Sequence, residues 1–217
     1  MEQIYLGRIV AFAVTPDGRP AALYRVSSRS FPNREARILD NNRRAAIVPK
    51  SGHEPDIAQN PFIAYNCARL AGKYAVLANG SHADPAADMM AKGVPAKEAL
   101  ALSLLTLDYE KDDYATPRIV VAAEAGSRAG WLGSVRKDGI DVRSFSLEPG
   151  RLIHVSTYGH DVPDVARCSD FTAGSAPEAC SFLFRGGVFA GFSHPVTAVA
   201  AVAGQNGFGI ARLDAAP

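Results

Sequence analysis

Most of the chain alternates apolar and polar positions with the period of strands. Residues 4–14 are rich in β-branched and aromatic side chains, Thr15-Pro16-Asp17-Gly18 has the chemistry of a turn, and residues 21–26 resume the apolar run. This pattern predicts a β-hairpin. Short apolar segments at 45–48 and 74–77, bounded by Pro49, Gly72 and Asn79-Gly80, predict two more strands. Residues 94–107 read differently. Pro95 stands where a first helical residue would, and Ala99, Leu100, Leu102, Leu104, Leu105 and Leu107 cover most faces, which predicts a helix buried on several sides. Beyond it, 119–123 predicts a strand, and 131–135 with 140–145 around Arg136-Lys137-Asp138-Gly139 a second hairpin. Residues 152–156 predict a further strand and 177–184 a helix closed by Gly186-Gly187, while 196–202 fits either a strand or a buried helix. Hairpins outnumber β-α-β crossovers, so the expected class is α+β, an antiparallel sheet core with helices on its faces.

Composition narrows the function more than the fold. With 217 residues, 47% hydrophobic and 21% charged, the chain resembles an ordinary globular domain, and one domain over 1–217 is expected. Lys and Arg number 23 against 22 Asp and Glu, a net charge of +1. Such a molecule has no overall field to draw it onto nucleic acid or a membrane surface, so any basic site is local. The first residues lack the pattern of a secretory signal, and no apolar run reaches the roughly 18 residues of a membrane helix, so a cytoplasmic protein is expected. Cys67, Cys168 and Cys180 are an odd number at wide spacings, which predicts neither a disulfide framework nor a metal centre.

Two segments concentrate chemistry. Residues 25–44 hold six arginines against Glu35 and Asp40, a local excess of four positive charges, and Tyr24-Arg25-Val26-Ser27-Ser28-Arg29-Ser30-Phe31-Pro32-Asn33-Arg34 adds three serine hydroxyls. Forked guanidinium donors beside hydroxyls suit a phosphate, although an arginine-rich solvated loop has the same composition. The second is Asp108-Tyr109-Glu110-Lys111-Asp112-Asp113-Tyr114, directly after the predicted helix. The helix dipole disfavours acids there, so the cluster does not serve helix stability; it offers general acids and bases, or an exposed acidic connection. Ile63-Ala64-Tyr65-Asn66-Cys67 and Asn79-Gly80-Ser81-His82 would place polar groups at strand ends. Cys67 with His82 is a conceivable nucleophile pair, though a lone cysteine is more often a small buried hydrophobe.

Taken together, these islands resemble the archaeal-type IMP cyclohydrolase family. The resemblance rests on Tyr5-Leu6-Gly7-Arg8-Ile9, on the Tyr24–Arg34 and Ile63–Cys67 runs, on Asn79-Gly80-Ser81-His82, on Asp108-Tyr109-Glu110-Lys111-Asp112 with Thr116-Pro117-Arg118, on Ser156-Thr157-Tyr158, and on His194-Pro195-Val196-Thr197-Ala198. It implies a four-layer αββα sandwich like that of the N-terminal nucleophile hydrolases, used without their nucleophile, since Met1-Glu2-Gln3 offers none. It also implies the closure of 5-formamidoimidazole-4-carboxamide ribonucleotide to inosine monophosphate and water, in a homo-oligomer and with no cofactor or metal.

That reaction needs its phosphate held, its formyl and carboxamide groups brought together, charge stabilised on the formyl oxygen and two protons moved. The resemblance and this chemistry together nominate Arg25, Tyr65, Glu110 and Lys111 as catalytic. Tyr65 would donate toward the formyl oxygen and Glu110 position or deprotonate the carboxamide, or the two would exchange roles. Ser27, Ser28, Arg29, Arg34, Asn66 and Asn79 are the expected substrate contacts. Two other readings are a purine-nucleotide sensor with the same pocket and no turnover, and an amide hydrolase built on Cys67.

Overall fold

The computed structural model describes residues 3–216; the N-terminal Met1-Glu2, where the absence of a nucleophile was read, lie outside them. Thirteen strands form two antiparallel sheets among the described residues. The first sheet has six strands: β1 (Ile9–Val14), β2 (Pro20–Ser27), β10 (Arg151–Ser156), β11 (Cys168–Asp170), β12 (Pro195–Gly204) and β13 (Gly207–Asp214), in the order β11-β10-β1-β2-β12-β13. The second has seven: β3 (Arg34–Leu39), β4 (Arg44–Pro49), β5 (Tyr65–Ala71), β6 (Tyr74–Ala78), β7 (Arg118–Glu124), β8 (Ala129–Arg136) and β9 (Gly139–Ser146), in chain order. Of the helices, α1 (Asp56–Gln59) is a single turn, α2 (Ala83–Ala91) and α3 (Ala96–Leu107) pack on the seven-stranded sheet, and α4 (Ala176–Arg185) packs on β2, β12 and β13.

Three apolar clusters explain the layering. Phe12, Tyr24, Ile47, Tyr65, Leu77 and Val121 belong to the one between the sheets. Ile9, Leu23 and Ala200 face Leu183 and Phe189 under α4, and Val76, Val120 and Leu100 meet under α2 and α3. Each sheet is therefore covered on both faces. This explains why β1, β2 and β12 are nearly continuous apolar runs, and why residues 196–202 gave no alternation: they form a central strand between β2 and β13.

The predicted hairpins 4–26 and 131–145 are present as β1–β2 and β8–β9. Five elements are additional: the strands β3, inside the arginine-rich stretch, β11 and β13; the single turn α1; and α2, an alanine-rich helix before the expected one. The expected helix also corrects its own pattern. Pro95 caps it rather than opening it, and Leu102 and Leu105 face outward, Leu105 being 67% exposed, because only one side of α3 meets the sheet.

Candidate active site

Chain segments flanking β1, β2, β3, β5, β7 and β10 converge on a cavity of about 770 Å³. Tyr5, Arg8, Ser27, Ser28, Arg29, Phe31 and Tyr158 come from ends of the six-stranded sheet, and Arg34, Phe62, Ile63, Asp112 and Thr116 from the other. Both sheets thus contribute to one concave site with mixed charged, hydroxyl and aromatic walls, the usual form of a small-molecule pocket. The Arg29 guanidinium lies 4.1 Å over the Tyr5 ring, whose centroid is 5.8 Å from that of Tyr158.

The loop between α3 and β7 sorts its acids into separate tasks. Asp108 pairs with Lys111 outside. Asp112 accepts from the backbone N–H of Thr116 at 2.8 Å and from its hydroxyl at 2.7 Å, while the Glu110 N–H donates to the Thr116 carbonyl at 2.8 Å. The closed loop turns Glu110 inward, where it is 1% exposed. There Arg8 Nη2 donates to Glu110 Oε2 at 2.7 Å, and Arg118 Nη1 lies 3.8 Å from Oε1. Burial pushes the Glu110 carboxyl above the usual carboxylate range against the opposing pull of Arg8 and Arg118. Burial disfavours the Arg8 charge too, yet Glu110, Tyr65 and Tyr24 outweigh it and hold the guanidinium firmly protonated.

Tyr65 opens β5 with its side chain in the layer between the sheets, and its hydroxyl lies 2.5 Å from that of Tyr24 on β2. Burial raises the Tyr65 phenol while Arg34 and Arg8 pull it down. Four buried side-chain atoms of this group, Arg8 Nε, Arg34 Nη1, Glu110 Oε1 and Arg118 Nε, have no hydrogen-bond partner. Each unmet buried donor or acceptor costs about 1–3 kcal/mol, so their concentration beside one cavity is what a polar ligand would relieve.

The close approach of the Tyr5–Ile9 segment to Tyr158 depends on a glycine. Gly7 has φ +68°, and a Cβ there would stand 2.2 Å from Thr157 Oγ1 and 2.7 Å from the Tyr158 ring. Gly7→Ala is expected to destabilise the fold by roughly 2–4 kcal/mol from backbone strain and overpacking, and to weaken ligand binding by displacing Tyr158. Chemical denaturation and a binding titration check both effects.

Of the residues singled out from sequence, Ser27, Ser28, Arg29 and Arg34 line the cavity, and Tyr65 and Glu110 lie a layer deeper beside Arg8. The other four are elsewhere. Arg25 points to the opposite face of β2, with donors directed to Ser27 Oγ and to the carbonyls of Leu183, Phe189, Phe192 and Ser193. Lys111 lies outside, 3.5 Å over the Tyr109 ring. Asn66 follows Tyr65 and so faces the other way, donating to Asp84. Asn79 spans the Pro117 carbonyl and the Ile119 N–H, fixing the end of β6 to β7. Cys67 is buried between the sheets with its thiol pushed up by desolvation, whereas His82 belongs to the outer helical side, so the two form no nucleophile pair. Arg8, Tyr24 and Arg118 were missed as site residues, although Arg8 interrupts an otherwise apolar strand start, which is a usable signal. Among the described residues no group of three or more His, Cys, Asp or Glu side chains is placed to hold a metal ion, and no helix is long and apolar enough to cross a membrane.

The sequence profile of a family described as IMP cyclohydrolase-like protein matches residues 5–207. The chain belongs to the IMP cyclohydrolase-like family. Proteins named IMP cyclohydrolase are similar to it over nearly full length. That of Methanosphaera stadtmanae is 48% identical over 91% of this chain and 94% of its own. One from Methanococcus maripaludis is 40% identical over 97% and 100%, and that of Methanocaldococcus jannaschii 38% identical over 96% and 98%. The span matched to the IMP cyclohydrolase-like family contains every cavity residue, from Tyr5 to Tyr158.

Proposed function

We propose that the chain is an IMP cyclohydrolase and that the cavity beside the Arg8–Glu110 ion pair is where the ring closes. The observation that carries this reading is the clustering of unmet buried polar atoms around Arg8, Arg34 and Glu110 near Tyr65, beside a pocket of nucleotide size. Arg34, Arg29 and the hydroxyls of Ser27 and Ser28 are suited to the phosphate, and Tyr5, Phe31, Phe62 and Tyr158 to the flat imidazole.

Glu110 Oε1, without a hydrogen-bond partner, accepts a proton from the carboxamide nitrogen as that nitrogen forms its bond to the formyl carbon. The carbonyl electron pair moves onto the formyl oxygen, which takes the phenolic proton of Tyr65 while Arg8 and Arg34 stabilise the phenolate. The resulting hydroxyl leaves as water with the proton held on Glu110. The proton on the former formamide nitrogen returns to the Tyr65 phenolate as that nitrogen forms the ring C=N bond, and the carboxamide nitrogen keeps its second proton. Both residues end as they began, and no covalent enzyme intermediate is needed. We infer further that the sandwich is of the N-terminal nucleophile hydrolase type, a reading the two helix-covered antiparallel sheets support, and that the chain acts as one domain over residues 1–217 in a cytoplasmic homo-oligomer.

Purified protein mixed with the formamido ribonucleotide tests the proposal through the ultraviolet absorbance of the product base. Turnover by the native chain is expected. Binding of inosine monophosphate without turnover would instead favour a nucleotide sensor. Arg34→Ala is expected to raise KM by about tenfold or more through the lost phosphate contact, and to lower kcat as well through the lost support of the Tyr65 phenolate. An effect confined to kcat would place Arg34 at the reacting atoms instead.

A further inference from the structure

Tyr24 takes no part in the substrate contacts above, yet it is a large polar side chain at 0% exposure in the middle of the inter-sheet core. Its hydroxyl has one hydrogen-bond partner among the described residues, the Tyr65 hydroxyl at 2.5 Å. Two hydroxyls that meet must divide the roles of donor and acceptor. If Tyr65 donated, the Tyr24 proton would be buried with nothing to receive it, an unmet donor in the core. If Tyr24 donates, the hydroxyl proton left over is that of Tyr65, the less buried of the two residues at 8% exposure against 0%. The Tyr65 oxygen then accepts, and its own proton is free for a ligand. Arg8 and Arg34, the charged neighbours of Tyr65, carry donors only and cannot receive that proton.

We propose that Tyr24 is a positioning residue for ring closure, a fixed donor that turns the Tyr65 proton toward the substrate and stabilises the phenolate that forms when the proton is given up. This rests on the reading of Tyr65 as the acid that protonates the formyl oxygen. Tyr24 keeps its proton throughout, so the balance of the reaction is unchanged. The groups facing Tyr65 act in both directions, and burial, the largest influence, raises the phenol. Arg34, Arg8 and the Tyr24 hydroxyl favour its phenolate, while burial and the neighbouring Cys67 thiol oppose it. Tyr24 itself is held far above an ordinary phenol by burial and by Tyr65, as a permanent donor should be.

Tyr24→Phe removes one oxygen and keeps the ring in the core. With the formamido ribonucleotide as substrate, kcat is expected to fall about ten- to hundredfold, the worth of a hydrogen bond to a charged oxygen, with KM and inosine monophosphate affinity within about threefold. The basic limb of the kcat–pH profile is expected to move to higher pH, because Tyr65 loses a donor to its phenolate. Adding Tyr24→Phe to Tyr65→Phe is expected to cost nothing further, since Tyr24 acts only through that oxygen. An unchanged kcat and pH limb, or an equal loss in the Tyr65→Phe background, would overturn the proposal. A check that needs no change at Tyr24 is the tyrosinate ultraviolet titration of the native chain against Tyr65→Phe. The variant should lose the lower-titrating hydroxyl of the pair, and loss of the higher one would reverse the donor assignment. Absence of turnover by the native chain would overturn the reaction and this role together, whereas native turnover with an indifferent Tyr24→Phe overturns the role alone.

Discussion

Glu110→Gln is expected to lower kcat for ring closure by about 10²- to 10⁴-fold, the range in which a positioned general base contributes, with little change in KM. Glutamine fills the same volume and can still accept from Arg8, but an amide oxygen cannot take the carboxamide proton. The pH dependence separates this role from a structural one. Burial holds the Glu110 carboxyl above the usual glutamate range despite Arg8 and Arg118. Activity needs the carboxylate, so the acid limb of kcat/KM for the native enzyme should lie above that of an ordinary glutamate, with the rate falling as pH drops through it. That limb should vanish in Glu110→Gln. A variant with native kcat, or one that keeps the acid limb, would remove Glu110 from the proton transfer. The substitution also leaves Arg8 as a buried cation without its counter-ion, so some loss of stability should accompany the loss of rate.

Glu110 and Arg25 illustrate what a sequence displays and what it withholds. The acidic run after α3 was visible as chemistry, and the inward choice of Glu110 among its neighbours is made by the Asp112–Thr116 loop closure, a local feature with a familiar side-chain signature. The serines and arginines at the end of β2 were likewise visible because they follow an apolar strand and line the cavity directly. Facing was the harder problem. Side chains alternate along β2, so Tyr24 and Arg25 cannot both look into one layer, and a sheet covered on both faces offers no polar side to say which is which. Arginine is the commoner catalytic partner, and tyrosine is easily read as core, so chemical plausibility chose Arg25 while register placed Tyr24 beside Tyr65. The same alternation removed Asn66 from the site its neighbour Tyr65 helps to build. The strand β3 was hidden for another reason. It is an edge strand with charged Arg34, Glu35 and Arg37, and charge along an edge strand masks the apolar pattern that marks a strand in sequence.

Removing the Arg25 side chain as Arg25→Ala is expected to cost about 3–5 kcal/mol of folding free energy, through unmet hydrogen bonds rather than lost catalysis. A guanidinium has five N–H donors in a fixed fork, and here they meet Ser27 Oγ and four backbone carbonyls. One of these, Leu183, lies in the last turn of α4, where carbonyls have no partner within the helix and the dipole favours a cation. The others belong to the segment that returns the chain from α4 to β12, Phe189 in a short 3-10 helix over Gly187–Gly191 and Phe192 and Ser193 just after it. Arg25 therefore joins the six-stranded sheet to its helical cover, and alanine would strand the carbonyls of Leu183, Phe192 and Ser193, while that of Phe189 keeps the Phe192 N–H. Burial lowers the guanidinium to about 10, which still leaves it charged at neutral pH and so bound to its acceptors. Arg25→Lys, with three donors on a compact head, should recover only part of the loss. Denaturant unfolding should show a reduced midpoint with an unchanged slope, while the folded fraction at low temperature keeps a near-native kcat. Native stability with abolished turnover would be the contrary result, and it would return Arg25 to the reacting atoms.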